Sequence, residues 1–382
     1  MKLELNNLNK LPVRTWSWLG VNDISIQDNI PDIKEYTKNP VRSKAELLEG
    51  ISFKNSMGET DLFSSLDLFP FLDTFSSIDT GVGAEAVQFS KVHRNCGFSI
   101  RVPAGRKVEE PVYLEYELDE ENSTVVDLNH IIAEENSEVT VVTVYRGEED
   151  GPVFHDGLTY LYAGENAVIN LIQIQLLNER AVHFNNIGAK LSEGGKINFV
   201  QGELGGCKVI NGLHADLTGD YSNIDINTIY FGDKNRSLDF NYVVNHIGRL
   251  TRSELILNGA LLDESSKKFR GTLDFKKGAS GAAGHETEYT LLFSPRIKNV
   301  SAPLILCGEE NVEGKHAANS GKIDENQLFY MMSRGLDELS AKKLIIEAWF
   351  EPVIGKIPYT SVQEGIKDYV KERLSHVKSI QK

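Results

Sequence analysis

One stretch of the chain gathers side chains that could hold iron. His316 closes the run Gly308-Glu309-Glu310-Asn311-Val312-Glu313-Gly314-Lys315-His316 and lies nine residues after Cys307. A thiolate, an imidazole and carboxylates are the donors that suit iron or a nascent iron–sulfur site, so Cys307 and His316 are the candidate metal ligands. Cys307 ends the apolar run Pro303-Leu304-Ile305-Leu306, the usual setting of a buried structural thiol. Its orientation therefore decides whether it can serve. The chain has nine histidines in all, and most of the others stand singly within strand-like runs, where a structural role is the default.

Other chemistry fails on spacing. The same Gly308 to His316 segment has five residues between its glycines, where a P-loop has four, and has His where the P-loop needs Ser or Thr. Gly278 to Gly284 is glycine-rich but follows Lys276-Lys277 in a turn-like context and lacks the dinucleotide-binding spacing. No GxSxG, HExxH or CxxC occurs. Only three cysteines are present (Cys96, Cys207, Cys307), too few for a disulfide framework or a four-thiolate zinc site, a pattern that suits a reducing cytoplasm. The formal charge of −15 disfavours nucleic acid and anionic membrane surfaces as partners. No apolar run approaches a membrane span, and the N-terminus lacks the apolar core of a signal peptide.

Three regions position these residues. Residues 1–85 mix short helical signals with loops: Ser43 and Glu46 form a capping-box pattern ahead of Leu47 and Leu48, with Gly50 as the stop. The Phe- and Leu-rich stretch from Leu62 to Gly83, interrupted by Pro70, suits a short helix pair or a wrap against a neighbour. Residues 86–320 are dense in Val, Ile, Thr, Tyr and Phe, broken by polar turns near Asn136, Glu165, Gly194 and Asp220, at intervals of 29, 29 and 26 residues. So regular a spacing predicts a mainly β region that stacks one unit as a β-solenoid, with an irregular antiparallel barrel as the alternative. Residues 321–382 turn helical. Asp324 caps a helix to Ser333 with Gly335 as its stop, a second helix runs from Leu339 to near Pro352–Gly355, and Ser361 with Glu364 opens a third. Such a bundle either caps the solenoid or docks a partner.

At this point the residues resemble a known family. The elements Pro303, Asn311-Val312, His316-Ala317-Ala318-Asn319, Gly321-Lys322-Ile323-Asp324, Leu328-Phe329-Tyr330 and Ser333-Arg334-Gly335 occur in the order of the C-terminal signature of the SufB/SufD family, scaffold proteins of the SUF iron–sulfur cluster assembly system. GFSIRVPAGRKVEEPVYLEYEL is similar to the start of that family's β-core, and LPVRTWSWLGVND to its N-terminal segment. The resemblance implies a right-handed parallel β-helix flanked by N-terminal and C-terminal helical segments. It implies C-terminal helices that dock a SufC-type ABC ATPase, here through Phe329, Tyr330, Arg334 and Gly335, and a β-helix that pairs with a SufB-type paralogue or with a second copy. It assigns His316 to the inter-subunit cluster-building site.

The departures point to a SufD-like member. Ala317 stands where SufB-type proteins carry Glu, and the SufB scaffold cysteine falls at Glu288. The SufD-type cysteine falls at Gly314, and Asn319 replaces Thr. The expectation is a cytoplasmic, non-catalytic component with no resident cofactor, beyond a transient iron–sulfur cluster. Two alternatives stand beside it. One is a homodimeric scaffold that ligates a cluster through Cys307 and His316; the other is a β-helix polysaccharide lyase or hydrolase using Asp225 and Glu203.

Overall fold

A repeat near 29 residues is long enough for two strands of about ten residues and two corners, so each coil can add one strand to each of two stacked sheets. The computed structural model, which describes residues 1–15, 17–57, 69–147 and 151–376, has this arrangement. One sheet takes β4 (Cys96–Val102), β6 (Thr124–Ala133), β8 (Phe154–Ala163), β10 (Val182–Leu191), β12 (Lys208–Leu217), β14 (Ser237–His246), β16 (Ser266–Phe275) and β18 (Lys298–Cys307). Its first edge is closed by the antiparallel β3 (Ser52–Met57). The facing sheet takes β5 (Val112–Leu118), β7 (Glu138–Gly147), β9 (Val168–Leu176), β11 (Lys196–Glu203), β13 (Asn223–Gly232), β15 (Arg252–Leu261), β17 (Ala283–Leu292) and β19 (Glu313–Lys322). All pairs of successive coils are parallel, and β10 meets β12 without a break from Val182↔Lys208 to Leu191↔Leu217. The antiparallel barrel is thereby excluded.

In-register stacking places like on like. Val112, Val141, Leu171, Phe199, Ile226 and Leu255 occupy one column of the interior and are all buried. The corners stack too. Gly105, Asn136, Asn166, Gly194, Tyr221, Leu250 and Gly281 all have positive φ. The N–H of each donates to a carbonyl of the next coil, at 2.7–3.0 Å. Turns near Asn136, Glu165, Gly194 and Asp220 therefore fall where the spacing predicts them.

Both outer faces are covered, which is why many strands are buried on both sides. On the β4–β18 sheet lie the antiparallel pair β1 (Lys2–Leu8) and β2 (Ile24–Asn29), the short α1 (Leu72–Ser76) and α2 (Ala84–His93). The described residues among 1–85 thus contribute three strands alongside their short helices; of the Phe- and Leu-rich stretch, positions 62–68 lie outside the described residues. The opposite sheet is covered by α4 (Glu338–Ile354) and α5 (Thr360–His376), whose Ile346, Phe350, Val353, Val362, Ile366 and Val370 pack on Val142, Ile172, Val200 and Ile229. α3 (Glu325–Ser333) precedes them.

Capping follows the sequence unevenly. Asp324 accepts from the Asn326 N–H at 2.9 Å and Gly335 ends the segment with φ +96°, as expected. Asp337 caps α4, and Gly355 is its C-cap. Two expected caps do not form. Ser43 accepts from the Tyr113 N–H instead, and residues 45–48 make only a 3-10 turn. Ser361 lies inside the first turn of α5, whose leading N–H groups use the Tyr359 carbonyl.

Candidate functional site

The solenoid ends open. β18 and β19 are the last strands of their sheets, so each leaves one edge unpaired, and every described side chain of β19 is exposed. Register fixes which residues look into this mouth. His316 sits beside Glu286 and Ala318 beside Glu288, continuing the interior columns of Leu255 and Leu257. His316 is therefore a core-facing position in a coil that has no coil above it. Lys315 and Ala317 point the other way, and Glu313 pairs with both Lys315 and His285 on the outer side.

Beneath His316 the interior turns from apolar to ionic. Glu288 is buried and takes a salt bridge from the fully buried Lys267, a 2.6 Å hydrogen bond from Ser301 Oγ and a 3.2 Å one from Tyr230 OH. Glu286 crosses toward β16, where Gly271 makes room: a Cβ there would collide with its carboxyl. Burial, reinforced by the Glu288 carboxylate, pushes the Glu286 carboxyl up to about 8, against the opposing pull of Lys267. The floor of the mouth thus holds two carboxyls and one ammonium. Of these, sequence reasoning noted only Glu288; the alternation His285-Glu286-Thr287-Glu288 on a core-facing register was the available signal.

Cys307 also continues a core-facing column, beside Phe275, but lies at the exposed end of its strand. A Cβ on Gly314 would meet Ile305 at 2.9 Å, so β19 runs back along β18 with Gly314 opposite Ile305. That pairing sets Cys307 near the corner and His316 opposite the Pro303 region. At about 3.3 Å per residue the two candidates are separated by roughly 13 Å along the strands. The fold does not bring them together, and among the described residues no group of three His, Cys, Asp or Glu side chains is placed to hold a metal ion.

The four docking candidates lie on α3 and in the turn that follows it. Phe329 and Tyr330 are 73% and 57% exposed on α3, with Met332 beside them and Leu344 on α4 also exposed. The Arg334 guanidinium lies over the Tyr330 ring at 5.1 Å, and Gly335 supplies the positive φ that turns the chain into α4. By contrast, Asp225 and Glu203 fall on opposite faces of their sheet. Glu203 is inside the solenoid and Asp225 outside it, so they cannot act on one sugar, and the lyase or hydrolase alternative loses its carboxylate pair. No helix among the described residues is long and apolar enough to cross a membrane.

Comparison with known proteins places the chain in a family. Residues 116–349 match the family model described as SUF system FeS cluster assembly, SufBD core domain. The chain is 27% identical over 302 residues to the iron-sulfur cluster assembly protein SufD of Bacillus subtilis, covering 77% of this chain and 68% of that protein. A SufBD family protein of Mycobacterium tuberculosis is 24% identical over 296 residues, covering 75% of this chain and 74% of the relative. A SufBD family protein of Mycobacterium leprae is 23% identical over 264 residues, and there the match spans only 30% of the longer relative. The matched span runs from β5 into α4 and includes the mouth, its ionic floor and α3, and the chain belongs to the SufBD family of SUF-system iron–sulfur cluster assembly proteins, as a SufD-like member.

Proposed function

We propose that this chain is a SufD-like, non-catalytic component of a SUF assembly complex, working in the cytoplasm. It docks a SufC-type ABC ATPase through α3 and the start of α4, and a SufB-type paralogue through the open end made by β18 and β19. ATP hydrolysis belongs to the ATPase partner, and an iron–sulfur cluster is cargo built at the junction. The observation that carries the reading is His316, a core-facing side chain in a terminal coil with two unpaired strand edges. Such edges are templates for pairing with another chain, and a partner coil would enclose His316 over the Glu286, Glu288 and Lys267 floor. With Cys307 out of reach of His316, further ligands come from the partner strand.

The same open end fits a second copy of this chain, since both edges are equally free in a homodimer. Co-expression with the SufB-type and SufC-type proteins of the same organism separates the cases. Recovery of all three chains together supports the heteromeric reading, and loss of the ATPase alone on Phe329→Ala with Tyr330→Ala supports docking through α3. A chain that purifies only with itself contradicts the SufB-type partner, and unchanged ATPase capture by the double variant contradicts the docking surface.

A further inference from the structure

The β1–β2 hairpin lies across the strands of the β4–β18 sheet. Two contacts fix its course. The Gly20 carbonyl, before β2, accepts from Lys268 Nζ of β16 at 3.0 Å, and Asp28, near the end of β2, pairs with Lys208 Nζ of β12 at 2.6 Å. Between those contacts the chain passes from β16 to β12, so β2 runs along the solenoid axis. Asn9, which follows β1, donates to the Asn211 and Asp239 carbonyls at 3.2 Å, further along the same strands. β1 therefore covers the strand middles and β2 the strand starts.

One edge of β2 is unpaired. Met1 and Ile30 exchange two bonds, at 2.8 and 3.0 Å, and bonded positions alternate in an antiparallel pair, so Asp28 and Ile26 also turn their N–H and C=O toward β1. Ser25 and Gln27 consequently aim theirs the other way. No strand among the described residues pairs with that edge, and both side chains are exposed. Ile26 is buried against the sheet, which holds the free edge close to the strands below.

Beside this edge runs a groove of about 470 Å³, walled by Ile24 to Gln27 and floored by the first residues of β12, β14, β16 and β18. In-register stacking sets Lys208, Ser237, Ser266 and Lys298 in one column along the floor, facing outward because Val209, Leu238 and Lys267 beside them are buried. Lys268 stands one row further along the strands. The acids at hand are already matched: Asp28 pairs with Lys208, and Asp239 is held by Arg270. The Lys298 ammonium is exposed and has no ion pair or hydrogen bond among the described residues, and Lys268 has only the Gly20 carbonyl. A chain of formal charge −15 thus keeps two uncompensated ammonium groups in one groove beside a free strand edge.

We propose that this groove binds an acidic, extended peptide segment of another chain, which adds to the free edge of β2 as a third strand. The dimensions agree. Neighbouring strands lie about 4.8 Å apart, so the column spans roughly 14 Å, the reach of about five residues of β-strand. Main-chain bonds to Ser25 and Gln27 supply the pairing, and alternate side chains of the bound segment point down onto the lysines, where glutamate or aspartate is complementary. Ser237 and Ser266, short and polar, leave room for those carboxylates between Lys208 and Lys298. The site uses neither the edges of β18 and β19 nor α3, so it stands whether or not those surfaces dock their partners.

The test is fluorescence anisotropy of the full chain with a labelled peptide of about seven residues that alternates glutamate with valine. Saturable binding is expected, with slowed amide exchange over residues 23–29 by hydrogen-exchange mass spectrometry. The same peptide with lysine for glutamate should not bind. N-methylation of one alternate set of its amides should abolish binding and of the other set should spare it, because only one set faces β2. Lys298→Glu, at an exposed side chain, and Gln27→Pro, which removes an outward N–H and no bond to β1, should each weaken binding about tenfold. Absence of saturable binding, equal binding of the two methylated peptides, or an inorganic polyphosphate that binds as tightly as the acidic peptide overturns the proposal. Should Gln27→Pro fail to fold, the two methylated peptides on the wild-type chain still decide.

Discussion

Asp156 illustrates how a covering layer sets the chemistry of a single side chain. It lies on the outer face of β8 beneath α2, where Ser90 Oγ donates to Oδ2 at 2.7 Å, while its other oxygen has no hydrogen-bond partner in the structure. Burial pushes this carboxyl up to about 7, only partly offset by the Ser90 bond. Because the folded value lies above the unfolded one, the favourable protonated form is fully present below about pH 4, and its stability is lost as pH rises through 7. Asp156→Asn should therefore gain on wild type by up to roughly 4 kcal/mol between pH 4 and pH 8, read from urea unfolding at each pH. A constant difference across that range would contradict the assignment. At this scale His316 was legible from its motif, because the motif is local. The Glu286–Glu288–Lys267 floor was not, since it depends on which strand residue faces inward.

Corners decide how the elements stack. Five of the seven stacked corner residues with positive φ are Gly or Asn, the types that tolerate that conformation, whereas Tyr221 and Leu250 do so at φ +61° and +58° while 59% and 40% exposed. A side chain with a full Cβ pays about 1 kcal/mol or more there. Tyr221→Asn should raise the stability of the chain by about 0.5–1 kcal/mol, measured by thermal or urea unfolding, without disturbing the ladder bond from its N–H to the Arg249 carbonyl. Lower stability would show that the Tyr221 ring contributes more than its backbone strain costs. The turn spacing made the solenoid readable because Asn136, Gly194 and the Asp220 beside Tyr221 mark their corners, while Leu250 hides its own. Strands such as β8, buried on both faces, lose the polar alternation that would mark them, and the β1–β2 pair was concealed in a segment whose capping pattern at Ser43 serves a tertiary bond instead.

Over the whole molecule, charge and exposure divide the labour. Residues 1–85 and 86–320 carry net charges of −5 and −11, whereas residues 321–382 carry +1. The acidic solenoid is covered by helices on one side and by the N-terminal segments on the other, and among the described residues the terminal coil and the aromatic side chains of α3 stay exposed. α5 is fixed to the solenoid by Arg373, whose guanidinium binds Asp233 through 2.6 and 2.9 Å hydrogen bonds and Glu179 at 2.6 Å. That anchoring leaves α3 as the segment of the helical tail with exposed aromatic side chains, the one proposed above to dock the ATPase. Family membership was legible in the C-terminal motif string; the separation of Cys307 from His316 was not, because nine residues of sequence reveal nothing of a strand reversal between them. The most direct measurement is native mass spectrometry of the three SUF chains expressed together. The account predicts a complex containing this chain, the SufB-type chain and the ATPase, from which the SufB-type chain remains bound when Phe329→Ala with Tyr330→Ala releases the ATPase from this subunit. A chain found solely as a free monomer under those conditions would contradict it.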